Sequence, residues 1–289
     1  MPPATSAPIL VLQSAEASAA DAAAIADLCG ADAPEQVAEH AWRLRGAQRR
    51  ERVAAWCETR RLDHAWLPEG RRFADLRLLA MDMDSTLITI ECVDELGSYF
   101  NVKEEISKIT AQAMRGEIDY PESLRKRVSL LAGLEERALQ EVYDERLRLS
   151  PGAEVLIAQC KRHGVKLLLV SGGFTFFTAR LQQRLGLDDT ISNVLEIESG
   201  RLTGRVLGGI VDAQAKAAKF RQMARRLGAA RAQTVAIGDG ANDLMMMAEA
   251  GVSVAYRAKP VVRAQATHAL NYTGLDGILH LFEWRPHGS

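Results

Sequence analysis

A doubly wound, mostly parallel α/β sheet is the fold this chain predicts, with a helical unit inserted early and a small unit ahead of it. Three observations carry that expectation. From Leu76 onward, short apolar runs alternate with segments of helical period, the pattern of βαβ units on a parallel sheet. The runs are mostly apolar, as expected of strands covered on both faces. One interval, Thr86 to Pro151, breaks the rhythm with helical pattern and no convincing central strand. A connection that long between neighbouring strands should be an inserted unit rather than a loop.

Residues 1–74 form the small N-terminal unit, α/β or mainly helical. Ile9–Leu12 reads as a strand, and the alanine-rich Ala19–Leu28 as a helix closed by Cys29-Gly30. Pro34 opens a second expected helix through Arg45, and Gln48–Arg60 suggests a third. Arg43, Arg45, Arg49, Arg50, Arg52, Arg60, Arg61, Arg71 and Arg72 crowd this region, interleaved with Glu51, Glu58 and Glu69. Sparse aromatic interleaving favours solvated helix faces over an RNA surface. Pro68-Glu69-Gly70 reads as a linker to a second unit, 75–289. There the expected strands are Leu76–Met81, Lys166–Val170, Thr234–Ile237 and Val252–Ala255, with His268–Leu270 a shorter fifth. The expected helices are Ala153–His163, Thr175–Leu185, Ala215–Leu227 and Asp243–Ala250. Leu195–Thr203 reads as a hairpin turning at Ser199-Gly200. The inserted unit, about 90–150, follows an acidic strand end and is placed to serve as a lid.

Composition sets the outer bounds. At 289 residues, 47% hydrophobic and 25% charged, the chain can bury a large core. A net charge of -1 gives no global pull toward nucleic acid or anionic membrane, so neither is expected as a partner. No apolar run reaches bilayer length, and Met1–Ser6 lacks a signal-peptide layout. Four widely spaced cysteines without a Cys-x-x-Cys pair point to reduced, buried thiols and a cytoplasmic protein. Whether the chain forms a homo-oligomer stays open.

The chemistry gathers at the strand ends. Asp82 and Asp84 leave the first core strand, with Thr86 behind them. Alone they are a pair of solvated acids, but two nearby carboxylates can also divide nucleophile and proton-carrier roles. Ser171-Gly172-Gly173 leaves the second strand, where a hydroxyl and close backbone N–H groups suit an anion as well as an ordinary turn. Gly238-Asp239-Gly240-Ala241-Asn242-Asp243 leaves the third. Its carboxylates suit a hard divalent cation, although helix capping would explain Asn242 or Asp243 equally. Lys216 adds a point charge able to meet phosphate, though lysines on helices are mostly solvated. Together these are the parts that phosphoryl transfer needs.

With those residues in view, the chain resembles the haloacid dehalogenase-like phosphohydrolases. The motif Asp-x-Asp-x-Thr is matched by Asp82 to Thr86, the second by Ser171, the third by Lys216 and the fourth by Gly238 to Asp243. Within that superfamily it is most similar to the phosphoserine phosphatases, through Glu91-Cys92-Val93-Asp94-Glu95, Met114 to Leu131 and Val170 to Phe174. The likeness spans about residues 76–275 and leaves out 1–74. It implies a Rossmann-like core with a helical cap and Mg2+-dependent hydrolysis of O-phospho-L-serine, the last step of serine biosynthesis.

The resemblance also implies roles. Asp82 attacks phosphorus, and Asp84 protonates the leaving serine oxygen and then activates water. Mg2+ is held by the Asp82 carboxylate, the Asp84 backbone carbonyl and Asp239, with Asp243 in support through water. Ser171, Gly172 and Lys216 cradle the phosphoryl group, helped by Asn242. Glu91 takes the substrate ammonium and Arg127 its carboxylate, while Met114 and Tyr120 wall the cap. Relatives often carry Phe at the Tyr120 position, which alters the pocket rim. A phosphotransferase sharing the intermediate is the main alternative, along with a phosphatase for another small phosphomonoester. A non-catalytic phospho-accepting sensor has no need of Asp84.

Overall fold

The computed structural model describes residues 8–283, so the opening residues weighed above as a signal peptide lie outside it. Six elements build the N-terminal unit. They are β1 (Ile9–Gln13), α1 (Ala19–Cys29), β2 (Glu35–Ala38), β3 (Ala41–Leu44), α2 (Val53–Thr59) and β4 (Asp63–Leu67). The strands form an antiparallel sheet in the order β2-β3-β1-β4. Helix α1 starts where Ser18 and Asp21 exchange side-chain-to-backbone bonds and stops at Gly30, φ 66°.

Strand alternation gives this sheet two buried faces. Leu10, Leu12, Trp42 and Leu44 pack with Ile25, Cys29, Val53 and Cys57 beneath the two helices. Ile9, Val11, Ala65 and Leu67 turn the other way, into the core that holds Phe73, Leu275, Ile278 and Phe282. Asp63 binds across this junction: its carboxylate accepts from the N–H groups of Asn271, Tyr272 and Thr273 and from the Thr273 hydroxyl, at 2.7–2.9 Å.

Two expectations fail here. Pro34 to Arg45 is not a helix but the β2–β3 hairpin, with Leu44 opposite Leu10 and Trp42 opposite Leu12. Pairing with a distant strand overrides local propensity, and the buried Trp42/Leu44 alternation is the trace it leaves. Arg43 therefore lies on no solvated helix face; it is buried, with its guanidinium donating to the Phe282 carbonyl. The third expected helix shortens to α2, and β4 enters unpredicted.

The second sheet begins with β5 (Leu78–Met81). Four helices then intervene: α3 (Cys92–Tyr99), α4 (Lys103–Met114), α5 (Tyr120–Ser129) and α6 (Arg137–Glu141). After them come α7 (Ala153–Arg162), β6 (Lys166–Phe174), α8 (Thr175–Leu185), β7 (Asp189–Glu198) and β8 (Arg201–Leu207). The chain closes with α9 (Ala213–Arg226), β9 (Thr234–Gly238), α10 (Leu244–Glu249), β10 (Val252–Tyr256), α11 (Pro260–Arg263) and β11 (His268–Leu270). The order is β11-β10-β9-β5-β6-β7-β8, parallel except for the β7–β8 hairpin. That hairpin turns at Ser199 (φ 51°) and Gly200 (φ 74°), the doubly left-handed geometry of a tight I′ turn.

Alternate strand residues serve two helical layers, which makes this an α/β fold with helices on both sides. Leu79, Met81, Leu167, Leu169, Val235 and Ile237 pack with α7 and α8. Leu78, Ala80, Leu168, Val170 and Ala236 pack with α9 and α10. The path from β5 runs to β6 and β7 on one side and to β9 and β10 on the other. The reversal opens a crevice at the carboxyl end of β5. Among the described residues no helix is long and apolar enough to cross a membrane, and all four cysteines are free and buried.

Candidate active site

Strand β5 ends at Met81 and the chain turns at once, so Asp82 and Asp84 do not share a continued strand. Ser85 takes φ 54°, and the turn is wide, with Leu87 N–H donating to the Asp82 carbonyl and Ile88 N–H to that of Met83. Both aspartates still line one cavity of about 120 Å3, with Glu91, Tyr120, Leu124, Arg127, Gly172, Gly173, Asp239 and Asn242. A space of that size admits a small molecule and excludes a folded macromolecule.

The two carboxylates have different anchors. Asp82 Oδ1 accepts from Lys216 Nζ at 2.6 Å, and the same ammonium reaches Asp243 Oδ1 at 2.7 Å. Lys216 projects from the first turns of α9, whose start is capped by Asp212 accepting from Ala215 N–H. Asp84 Oδ1 instead accepts from Cys92 N–H at 2.9 Å, at the amino end of α3, where the helix dipole favours an anion. Burial raises the Asp82 carboxyl well above its usual value, and the Asp243 charge adds to this. Burial also raises Asp84, opposed by the Cys92 amide. For Lys216, burial works to lower the ammonium, but Asp243 and Asp82 outweigh it and hold it charged.

Asp82, Asp239 and Asp243 bring one oxygen each within 4.8 Å of one another. Asp239, pushed up to about 6 by burial and by the Asp243 charge, also accepts from Thr86 Oγ1 at 3.1 Å. Gly238 has no side chain because a Cβ there would lie 2.5 Å from Asp243. Three hard oxygen donors with a single ammonium between two of them fit a divalent cation. The Asp84 carboxylate stands outside this trio.

The remaining walls come from β6 and the inserted helices. Ser171 is fully buried, its Oγ accepting from Gly173 N–H at 2.8 Å. A Cβ on Gly172 would collide with the Tyr120 hydroxyl, and one on Gly173 would meet Asp84 Oδ2 at 2.8 Å. Glycine is required at both positions by close approach. Tyr120, Leu124 and Arg127 fall on one face of α5 at helical spacing. Tyr120 donates to the Gly172 carbonyl at 3.1 Å, joining the inserted unit to the core. Glu91 accepts from Ser85 Oγ at 2.7 Å; burial and then the Asp84 charge raise its carboxyl to about 7.

Eight of the twelve predicted site residues line this cavity; Ser171, Lys216 and Asp243 are buried beside it, bonded to Gly173, to Asp82 and Asp243, and to Lys216 respectively. Met114 stands apart: it is 64% exposed at the end of α4, its Sδ 3.7 Å from Lys259 Nζ. Leu124 occupies the apolar wall instead, legible in the helical spacing from Tyr120. Sequence reasoning also missed Ser85, whose hydroxyl holds Glu91, and the Cys92 amide on Asp84.

The haloacid dehalogenase-like hydrolase family matches residues 79–248. A phosphoserine phosphatase of Polaromonas sp. is 54% identical over 215 residues, covering 73% of this chain and 91% of that one. A probable phosphoserine phosphatase from Vibrio cholerae, solved without ligand, superposes with a TM-score of 0.83 at 36% identity, over 95% of this chain and 86% of that one. A HAD family hydrolase from Salmonella enterica gives 0.86 at 30% identity, over 96% and 98%. The structural matches thus take in the N-terminal sheet.

Proposed function

Because the chain belongs to the haloacid dehalogenase-like hydrolases, and within them to the phosphoserine phosphatases, we propose that it hydrolyses O-phospho-L-serine to L-serine and phosphate through an aspartyl phosphate on Asp82. The observation that carries this reading is the placement of Lys216. Its buried ammonium, 2.6 Å from Asp82 and 2.7 Å from Asp243, opposes the rise that burial gives the Asp82 carboxyl and offsets its repulsion from an anionic ester.

Asp82 forms the bond to phosphorus as the phosphorus–oxygen bond to serine breaks. Asp84, raised by burial, delivers its proton to that departing oxygen. The resulting carboxylate then takes a proton from water as water attacks the acyl phosphate, which restores Asp82 and frees phosphate. Ser171, the Gly172 N–H, Lys216 and Asn242 cradle the phosphoryl oxygens. Mg2+ fits Asp82, Asp239 and Asp243, with the Asp84 backbone carbonyl, and would neutralise phosphoryl charge there. Glu91 meets the substrate ammonium and Arg127 its carboxylate, with Tyr120 and Leu124 lining the same cavity.

A panel of phosphorylated small molecules, assayed with and without Mg2+ by phosphate release, tests the reading. Phosphoserine should lead by kcat/KM and depend on the cation. A chain preferring an ester without the amino-acid group would refute the substrate assignment.

A further inference from the structure

Strand β6 is interrupted where it meets the cavity. Val170 pairs with Ile191 and the next pair is Phe174 with Asn193, so Ser171, Gly172 and Gly173 bulge out of the ladder. Residues in a bulge lose their ladder partners. Asn193, on β7 and 1% exposed, replaces those partners with its side chain. Its Nδ2 donates to the Gly172 carbonyl at 2.8 Å and to that of Gly173 at 3.3 Å, while its Oδ1 accepts from Val211 N–H at 2.8 Å.

We propose that Asn193 is a positioning residue that sets the phosphate cradle by orienting the Gly172–Gly173 peptide and, through it, the Ser171 hydroxyl. The deduction follows from peptide planarity. The Gly172 carbonyl and the Gly173 N–H belong to one trans peptide and point in opposite directions. Fixing the carbonyl on Asn193 therefore aims the N–H, and it lands on Ser171 Oγ at 2.8 Å. An oxygen that accepts this bond keeps its own hydrogen free for a phosphoryl oxygen. Each bond in such a chain polarises the next. The other end of the amide holds Val211, next to the Asp212 cap of α9, so the same side chain ties the Ser-Gly-Gly bulge to the helix that carries Lys216. The Gly172 carbonyl also accepts from Tyr120, so core and inserted unit converge on one oxygen.

This inference rests on the phosphatase reading above and deepens it. Asn193→Asp tests it, since the carboxylate keeps the acceptor for Val211 but removes both donors. Unfolding midpoints fix a temperature at which every variant is folded. There, kcat/KM should fall roughly tenfold to a hundredfold, equally for phosphoserine and p-nitrophenyl phosphate, with weaker inhibition by inorganic phosphate. In a Ser171→Ala background the same change should cost less than threefold, because the group it acts through is gone. Full additivity, or unchanged phosphate inhibition with only a lowered midpoint, would overturn the proposal. Asn193→Ala supplies an uncharged check. Turnover of p-nitrophenyl phosphate without turnover of phosphoserine would remove the substrate assignment and leave this test standing.

Discussion

Replacing Lys216 with methionine keeps most of the buried stem and deletes one charge. Nζ sits 2.6 Å from Asp82 Oδ1 and 2.7 Å from Asp243 Oδ1 and is 1% exposed. Without it two buried carboxylates face each other, repelling by about 4 kcal/mol at an effective dielectric near 20. Stripping one partner from a buried ion pair costs about 3–5 kcal/mol, a large share of a domain's stability. The protein can escape by protonating one carboxyl. A folded-state value raised in this way leaves stability intact below the unfolded carboxyl range and loses it as pH rises through the folded value. Urea unfolding should therefore show a small deficit near pH 5 that grows toward pH 8. The same charge is lost against the transition state, so about 4 kcal/mol, or roughly a thousandfold, should leave kcat/KM. A deficit equal at both pH values, with kcat/KM within tenfold of the parent, would refute the ion-pair argument.

Other expectations follow from single contacts. Asp82→Asn should abolish turnover and the mass of a trapped phosphoenzyme; an unchanged rate would exclude Asp82 as nucleophile. Arg127→Ala should raise KM for phosphoserine roughly tenfold or more and spare p-nitrophenyl phosphate, and equal losses would remove it from the carboxylate site. Glu91, raised to about 7 by burial and the Asp84 charge, binds an ammonium only as a carboxylate. KM for phosphoserine should thus climb as pH falls below about 7, whereas a profile parallel to that of p-nitrophenyl phosphate would exclude it. His268 and His280 are held down to about 4, by burial and then by Arg71 and Arg43. The unfolded chain takes up their protons first, so stability is full above about 6.5 and falls toward pH 4, by up to about 2 kcal/mol each at pH 5. The loss should shrink in His280→Gln, and an identical acid profile in that variant would refute its share.

How much was legible follows from where each signal resides. Strands β5, β6, β9 and β10 are covered on both faces, and such burial leaves mostly apolar runs that sequence alone reveals. Asp82, Ser171 and Asp239 stand out because they end those runs. The β2–β3 hairpin did not, since its identity depends on β1 across the sheet and the local residues do not exclude a helix. Arg43 was misjudged with it, because a buried arginine differs from a solvated one only in its distant partner, the Phe282 carbonyl. Asn193 was invisible for a further reason: its value arises from an irregularity in the neighbouring strand that no composition encodes. Met114 was carried over by resemblance, and the end of α4 here turns it outward.

The turn after Met81 explains how two aspartates one residue apart come to hold different positions. Had the strand continued, Asp82 and Asp84 would share one face and one set of neighbours. Instead the strand gives way directly after Asp82 to a wide turn over Met83–Leu87, within which Ser85 takes φ 54°, a conformation that costs a non-glycine residue on the order of 1–3 kcal/mol. The break is held by Ser85 N–H on the Ile90 carbonyl and Ser85 Oγ on Glu91. It directs Asp82 to the ammonium on α9 and Asp84 to the amide opening α3. One carboxylate thereby rests on a buried ammonium and the other on a peptide amide, while burial raises both above the usual carboxyl value. In the proposed mechanism, those separate anchors let two residues of the same type divide attack from proton transfer. A Ser85→Gly variant separates the two contributions of this residue: it relieves the strained φ but frees Glu91. Its KM for phosphoserine should rise with kcat nearly unchanged, and a collapse of kcat instead would show that the turn, more than the hydroxyl, keeps the aspartates apart.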